Sequence, residues 1–275
     1  MPGLWDDSLY AGSAEFYAVG RLPYPHALAD ELRQRLALDG RGRLLDLGCG
    51  PGSLTLLLAP LFDRVLGVDA DPDMVRVAAA RAATFGIGNV DWLHRYAEDL
   101  DLELGAFDVV TLAQSFHWMD QPVVAGKIHA LLTAGGCCVH VGATTHEGVP
   151  DAVGLPYPIP PREAISALVR DYLGPHRRAG QRVMLGDPPS GEDDVFRAAG
   201  FQGPERVEVV AGEVFVRTED EIVGSVFSLS SAAPHLFGTR LPDFDADLRA
   251  LLRAQAPDGL FAEQQRDITL SLWRK

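Results

Sequence analysis

The stretch from Arg43 to Thr55, reading RLLDLGCGPGSLT, leaves few folds open. Leu44, Leu45 and Leu47 form a short apolar run of the kind that lies in a parallel sheet covered on both faces. Gly48, Gly50 and Gly52 then follow at alternate positions, and Ser53 opens a helical pattern. Glycines so closely spaced cost chain entropy. They suit a backbone that turns sharply and comes close to a bulky group. The expectation is a ligand held where a buried strand turns into a helix.

The rest of the chain can be placed around this turn. Leu28, Leu32 and Leu36 recur at helical spacing before it, behind an aromatic segment holding Trp5, Tyr10, Phe16 and Tyr17. That segment reads either as an arm folded over a ligand or as an arm packed on its own core. Arg64 to Asp69 is a second strand ending in an acid, and Pro72 starts the next helix. Asn89 to His94, Phe107 to Ala113 and Cys137 to Val141 read as further strands, with a helix from Pro122 to Leu132. Strand, helix and strand in about thirty residues is the right-handed crossover of a parallel sheet. Residues 144–190 then hold eight of the 19 prolines and one good helix, Arg162 to Leu173. An irregular excursion of that length reads as part of a substrate-covering cap. Glu205 to Val210 and Gly212 to Arg217 alternate like exposed or edge strands, Thr218 and Glu221 form a capping box, and Pro242 to Ala254 holds a helix. Asp267 to Trp273 closes the chain as an antiparallel strand.

Charge and composition narrow the partner. The 275 residues carry 24 Lys and Arg against 38 Asp and Glu, a formal net charge of -14, which disfavours a nucleic-acid backbone and favours a small molecule. Cys49, Cys137 and Cys138 are the three cysteines, and their placement in apolar segments suits reduced core thiols rather than disulfides or a zinc site. No stretch reaches the roughly 18 uninterrupted apolar residues of a membrane span. A cytoplasmic protein, monomer or homodimer, with no metal, no membrane and no nucleic acid is the expectation.

Two nucleotide-type ligands compete for the glycine turn. A dinucleotide fingerprint wants its third glycine at position 53, which is Ser. Asp46 lies in the strand two residues before the first glycine, where an acid suits a cationic ligand group. Asp69 falls nineteen residues after Gly50, near the spacing of an acid that accepts from ribose hydroxyls.

Four motifs in order carry a family resemblance: Leu44-Leu-Asp-Leu-Gly-Cys-Gly-Pro-Gly52, Leu66-Gly-Val-Asp-Ala-Asp-Pro-Asp-Met74, Ala97-Glu-Asp-Leu100 and Phe107-Asp-Val-Val-Thr-Leu-Ala-Gln114. Together they resemble class I S-adenosylmethionine-dependent methyltransferases. Ala113-Gln-Ser-Phe-His-Trp-Met-Asp120 and Arg21-Leu-Pro-Tyr-Pro25 are further similar to the small-molecule branch that includes trans-aconitate-type methyltransferases. The resemblance implies an α/β, Rossmann-like, doubly wound and mostly parallel seven-stranded sheet, with an antiparallel C-terminal strand and a cap inserted after strand five. It spans roughly residues 40–142. The whole chain, 1–275, then reads as a single methyltransferase domain, comprising an N-terminal arm and helix (1–39), a cofactor core (40–142), cap elements (143–190 and 218–256) and sheet completion (191–217 and 257–275).

By the same resemblance Asp46, Gly48, Cys49 and Gly50 surround the methionine part of S-adenosylmethionine, and Asp69 accepts the ribose hydroxyls. Ala70 or Met74 flanks the adenine, with Ala97, Glu98 and Asp99 at its edge and one of the two acids taking the exocyclic amine. Gln114 touches the methionine portion, while Tyr17 and Arg21 close over the cofactor, Arg21 toward the methionine carboxylate. His117 is the first candidate base and His146 the second; His117 and Trp118 otherwise wall the pocket beside the substrate. Arg162, Arg177 and Arg178 are candidates to orient a carboxylate acceptor. The activity implied is methyl transfer to a small-molecule carboxylate or hydroxyl by direct displacement. A cofactor-binding cyclase or regulator, and after it an NAD-dependent oxidoreductase, are the competing readings.

Overall fold

The computed structural model describes residues 6–176, 178–179, 182–183 and 191–275. Arg177 lies outside them. In chain order the helices are α1 (Ala14–Gly20), α2 (His26–Arg35), α3 (Ser53–Leu58), α4 (Pro72–Thr84), α5 (Gln121–Leu131), α6 (Arg162–Leu173), α7 (Glu192–Ala198), α8 (Glu219–Phe227) and α9 (Leu241–Gln255). The strands are β1 (Arg43–Leu47), β2 (Arg64–Asp69), β3 (Val90–His94), β4 (Phe107–Ala113), β5 (Leu132–Gly142), the short pair β6 (Arg178–Ala179) and β7 (Arg182–Val183), then β8 (Gln202–Val209), β9 (Val214–Thr218), β10 (Leu260–Gln264) and β11 (Ile268–Arg274).

Seven strands form one sheet in the order β3-β2-β1-β4-β5-β11-β8. β1 through β5 pair in parallel, and β11 runs antiparallel between β5 and β8. The expected α/β sheet is therefore present. Strand order reverses between β1 and β4, and the crevice beyond the carboxyl ends of these strands is where an open α/β sheet takes ligands.

The alternation of each strand divides the core in two. Leu44, Val65, Val109 and Val139 face one way onto Leu28 and Leu32 of α2 and Leu54 and Leu58 of α3. Leu45, Leu47, Val110 and Leu112 face the other way, onto Val124 and Ile128 of α5 and Phe196 of α7. A third apolar cluster joins Ile165 of α6, Ile222 and Phe227 of α8 and Phe244 and Leu248 of α9, beside Phe237. The helix starts follow local chemistry. The Asp71 carboxylate accepts from the Asp73 and Met74 N–H groups ahead of Pro72, and Thr218 and Glu221 close the capping box on α8.

The structure departs from the sequence reading in the second half of the chain. Val214–Thr218 does not complete the main sheet; it pairs antiparallel with Leu260–Gln264 as a separate ribbon. β5 begins earlier than the Cys137 start expected from the apolar run, at Leu132, and shifts register against β4 between Phe107 and Val109. The aromatic arm forms α1, whose Gly20 meets Gly224 of α8 so closely that a Cβ on Gly20 would lie 2.1 Å from the Gly224 carbonyl carbon. Among the described residues no helix is long and apolar enough to cross a membrane.

Candidate active site

The turn after β1 is built from its glycines. The Gly48 and Cys49 N–H groups both donate to the Val68 carbonyl on β2, at 2.8 and 3.0 Å, which folds the turn over the neighbouring strand. Gly48 has φ +67°, and a Cβ there would meet Ser115 Cβ at 2.3 Å. Gly50 has φ +53°, and a Cβ there would meet nothing within 4 Å, because the residue faces a cavity.

That cavity spans about 670 Å³, part of it open to solvent, at the crevice between β1, β2 and β4, and its lining includes Tyr17, Gly48, Gly50, Asp69, Ala70, Met74, Ala97, Glu98, Gln114 and Trp118. A smaller recess of about 400 Å³ continues from it, sharing Tyr17, Gly48, Gly50 and Ala113 and adding Arg21, Tyr24, Asp46, Cys49 and Thr145. Thirteen residues singled out in the sequence thus meet around one connected space, counting Trp118 and setting aside Asp99.

Asp69, 7% exposed, uses one carboxylate oxygen to accept the Gly50 N–H at 2.7 Å and the other to accept the Asp71 N–H at 2.9 Å. Burial raises its pKa to about 6 against the pull of those two donors, with Asp71 and Asp46 adding to the rise. Each oxygen keeps a further lone pair, so the group suits two hydroxyls on adjacent carbons. Asp46 is turned inward. Its oxygens accept from Thr55 Oγ1 at 2.5 Å and Thr111 Oγ1 at 2.7 Å, and burial raises its pKa while these hydroxyls lower it.

Gln114 leaves β4 with φ +56°, uncommon for a residue with a Cβ, and its amide donates to Tyr24 Oη at 3.2 Å and Thr145 Oγ1 at 3.3 Å. Arg21 lies over the Tyr17 ring at 4.3 Å and donates to Ser228 Oγ at 2.7 Å, the Ser228 carbonyl at 2.9 Å and Thr145 Oγ1 at 3.4 Å. Tyr10 stands edge-on to both Tyr17 and Trp118, with centroids 6.2 and 6.4 Å apart, and completes an aromatic wall.

The two acids after Ala97 have different places. Glu98 lines the cavity, its carboxylate accepting the Asp120 N–H at 2.6 Å; Asp99 is exposed and outside the lining. His117 is also outside the lining, its ring 4.6 Å from that of Trp118, because the short turn Phe116–Trp118 sends neighbouring residues in different directions. His146 lines a separate cavity beside α6. The sequence reading had missed Tyr10, Tyr24, Arg95, Tyr96, Thr145 and Met119 as lining residues. Tyr10 had a signal, its place in the aromatic arm; Thr145 had none.

Residues 44–136 match the family described as methyltransferase domain. Nocamycin O-methyltransferase of Saccharothrix syringae is 32% identical over 224 residues, which cover 73% of this chain and 69% of that protein. Ubiquinone biosynthesis O-methyltransferase of Xanthomonas campestris is 35% identical over 109 residues, covering 39% of this chain and 45% of that one, so the chain spans under half of this second relative. Among solved structures the cyclase SpnF superposes with a TM-score of 0.53 at 19% identity, over 98% of this chain and 93% of its own, which is a likeness of fold. With the strand order and the glycine turn at the switch point, these matches establish that the chain belongs to the class I S-adenosylmethionine-dependent methyltransferases.

Proposed function

We propose that this enzyme methylates an oxygen of a small molecule, and that the connected cavity and recess hold S-adenosylmethionine. The observation that carries the reading is Asp69, held by two backbone N–H groups with its free lone pairs at a cavity beneath the glycine turn. In this reading Asp69 accepts the ribose hydroxyls, Ala70 and Met74 flank the adenine, and Ala97 and Glu98 lie at its edge. Asp99, exposed on the far side of its turn, has no part in it. Gly48, Cys49 and Gly50 surround the methionine portion in the recess, with Tyr17 and Arg21 beside them and Gln114 on the side of the main cavity. Asp46 acts there through its field and through Thr55 and Thr111, since its oxygens already accept from both hydroxyls.

When bound, the cofactor supplies a methyl group on a sulfonium, whose sulfur keeps the bonding pair as the acceptor oxygen forms the new bond. The protein's work is to orient the acceptor and keep water away. Tyr10, Tyr17 and Trp118 form an apolar screen suited to that task. The position of His117 outside the lining favours an acceptor that needs no base there, such as a carboxylate, which is already ionised at neutral pH. Both relatives described above carry O-methyltransferase in their names, which supports oxygen as the acceptor atom. Residues 1–275 are taken as one domain, with the α6, α8 and α9 layer as its cap.

The test is transfer of label from methyl-labelled S-adenosylmethionine to a panel of carboxylic acids, phenols, alcohols and amines, with binding followed by calorimetry. Label in methyl esters or ethers is expected. Tight cofactor binding with no transfer to any acceptor would favour the cyclase or regulatory reading instead.

A further inference from the structure

We infer that the second cavity, under α6, is a binding chamber for amphipathic anions, with an apolar wall for the ligand's body and a basic rim for its charge. The inference deepens the proposed function, because it names the chemical class of acceptor the enzyme would take. The chamber spans about 960 Å³, part of it open to solvent, and among the described residues shares no lining residue with the cofactor cavity or its recess.

Its walls are chemically divided. Ile165, Val169 and Leu173 come from one face of α6, and Val226, Leu229 and Ala232 come from the end of α8 and the turn after it. Arg162, Arg170, His146 and His176 stand around the same space. The single acid among the described lining residues, Glu147, is held by Arg266 at 2.7 Å and lies 4.0 Å from His146. Behind the wall one buried carboxylate, Glu263, serves two arginines, Arg162 at 2.7 Å and Arg217 at 2.8 Å. Arg170 is exposed at the rim and among the described residues has no carboxylate partner. Glu263 is thus shared by two guanidinium groups, and Arg170 adds a positive charge that no carboxylate among the described residues pairs. A cationic chamber in a chain of net charge -14 is selective: the rest of the surface repels an anion that the chamber attracts.

The chamber also borders the cofactor site. Arg21 spans Thr145 and Ser228 with its guanidinium. Arg21 and Thr145 line the recess, whereas His146 and Leu229, the residues directly after Thr145 and Ser228, line the chamber. The Arg21 guanidinium, with Thr145 and Ser228, thus lies between residues that line the recess and residues that line the chamber.

The probe pair is octanoate and octan-1-ol, titrated by calorimetry into full-length protein saturated with S-adenosylhomocysteine. Octanoate should bind at least tenfold more tightly. Arg170→Gln should reduce that preference several-fold, and Ser231→Trp, which fills the chamber from a half-buried position, should abolish octanoate binding. Equal affinity for the two probes, no octanoate binding, or a preference untouched by both variants would overturn the inference. S-adenosylhomocysteine affinity is measured on the same samples. Its absence in the wild type would count against the cofactor reading, whereas its persistence beside a lost octanoate preference locates the change in the chamber.

Discussion

The carboxylate of Asp69 accepts the backbone N–H of Gly50 at 2.7 Å, so the end of β2 fixes the shape of the turn that follows β1. One group thereby shapes the glycine turn and offers acceptors to the cavity. Asp69→Asn should weaken S-adenosylhomocysteine binding by about 1.5–3 kcal/mol through loss of charge-assisted hydrogen bonds. Calorimetry checks this, and an unchanged dissociation constant would remove Asp69 from the ribose role.

The same residue sets a pH dependence. Its pKa is raised by burial to about 6, from an ordinary 3.8, so the folded protein holds this proton more tightly than the unfolded chain does. The associated stability is fully present below pH 3.8 and is lost as pH rises through 6. The stability of Asp69→Asn relative to wild type should therefore shift in the variant's favour by about 2–3 kcal/mol between pH 4 and pH 7, read from urea melts. Ligand hydroxyls prefer the ionised carboxylate, so wild-type affinity for S-adenosylhomocysteine should be flat above pH 6 and fall by up to about tenfold per unit below it. A flat profile down to pH 5 in wild type would contradict the assignment.

Gly20→Ala tests the attachment of the arm. The added methyl would meet Gly224 backbone 2.1 Å away, and neither backbone can yield without moving α1 or α8. A loss of about 1–3 kcal/mol is expected, as for overpacking elsewhere. Because Tyr17 and Arg21 flank the residue and line the recess, S-adenosylhomocysteine affinity should drop as well. Full stability together with unaltered affinity would show that the arm can be displaced without cost.

Glu263→Gln removes the charge shared by Arg162 and Arg217, leaving two guanidinium groups beside a neutral amide; Arg217 and Glu263 are 3% and 1% exposed at their side chains. Breaking a buried pair in this way costs about 3–5 kcal/mol. Urea denaturation of Glu263→Gln beside Arg217→Met/Glu263→Met would separate the uncompensated charge from packing, the double variant being the more stable.

Much of the fold was readable because it rests on local rules. Leu44 to Gly52, Asp69 and Pro72 each state a strand, a turn or a helix start in their own neighbourhood, and the parallel sheet follows from their order. β9 was readable as an edge strand from its alternation, but its pairing with β10 was not, since the ribbon carries Arg217 and Glu263, a buried ion pair that looks like solvent-facing polarity in one dimension. The site divides the same way. Asp69 and Gly50 pair across a short stretch of chain, but Arg21 finds Ser228 across 207 residues, and no spacing rule reaches that far. His117 and Trp118 are neighbours in sequence, and only the tight turn at Phe116–Trp118 decides which of them meets the cavity.

The contact of Gly20 with Gly224 also bears on how the protein is made. α1 is synthesised well before α8, on which it sits, so a nascent chain can assemble β1 through β5 and the glycine turn long before the arm has anywhere to dock. Until α8 emerges, Tyr17 and Arg21 are held to nothing on that side, and the crevice at the glycine turn stands open there. Retention of the cofactor is thus acquired late in synthesis, as a property of the finished chain.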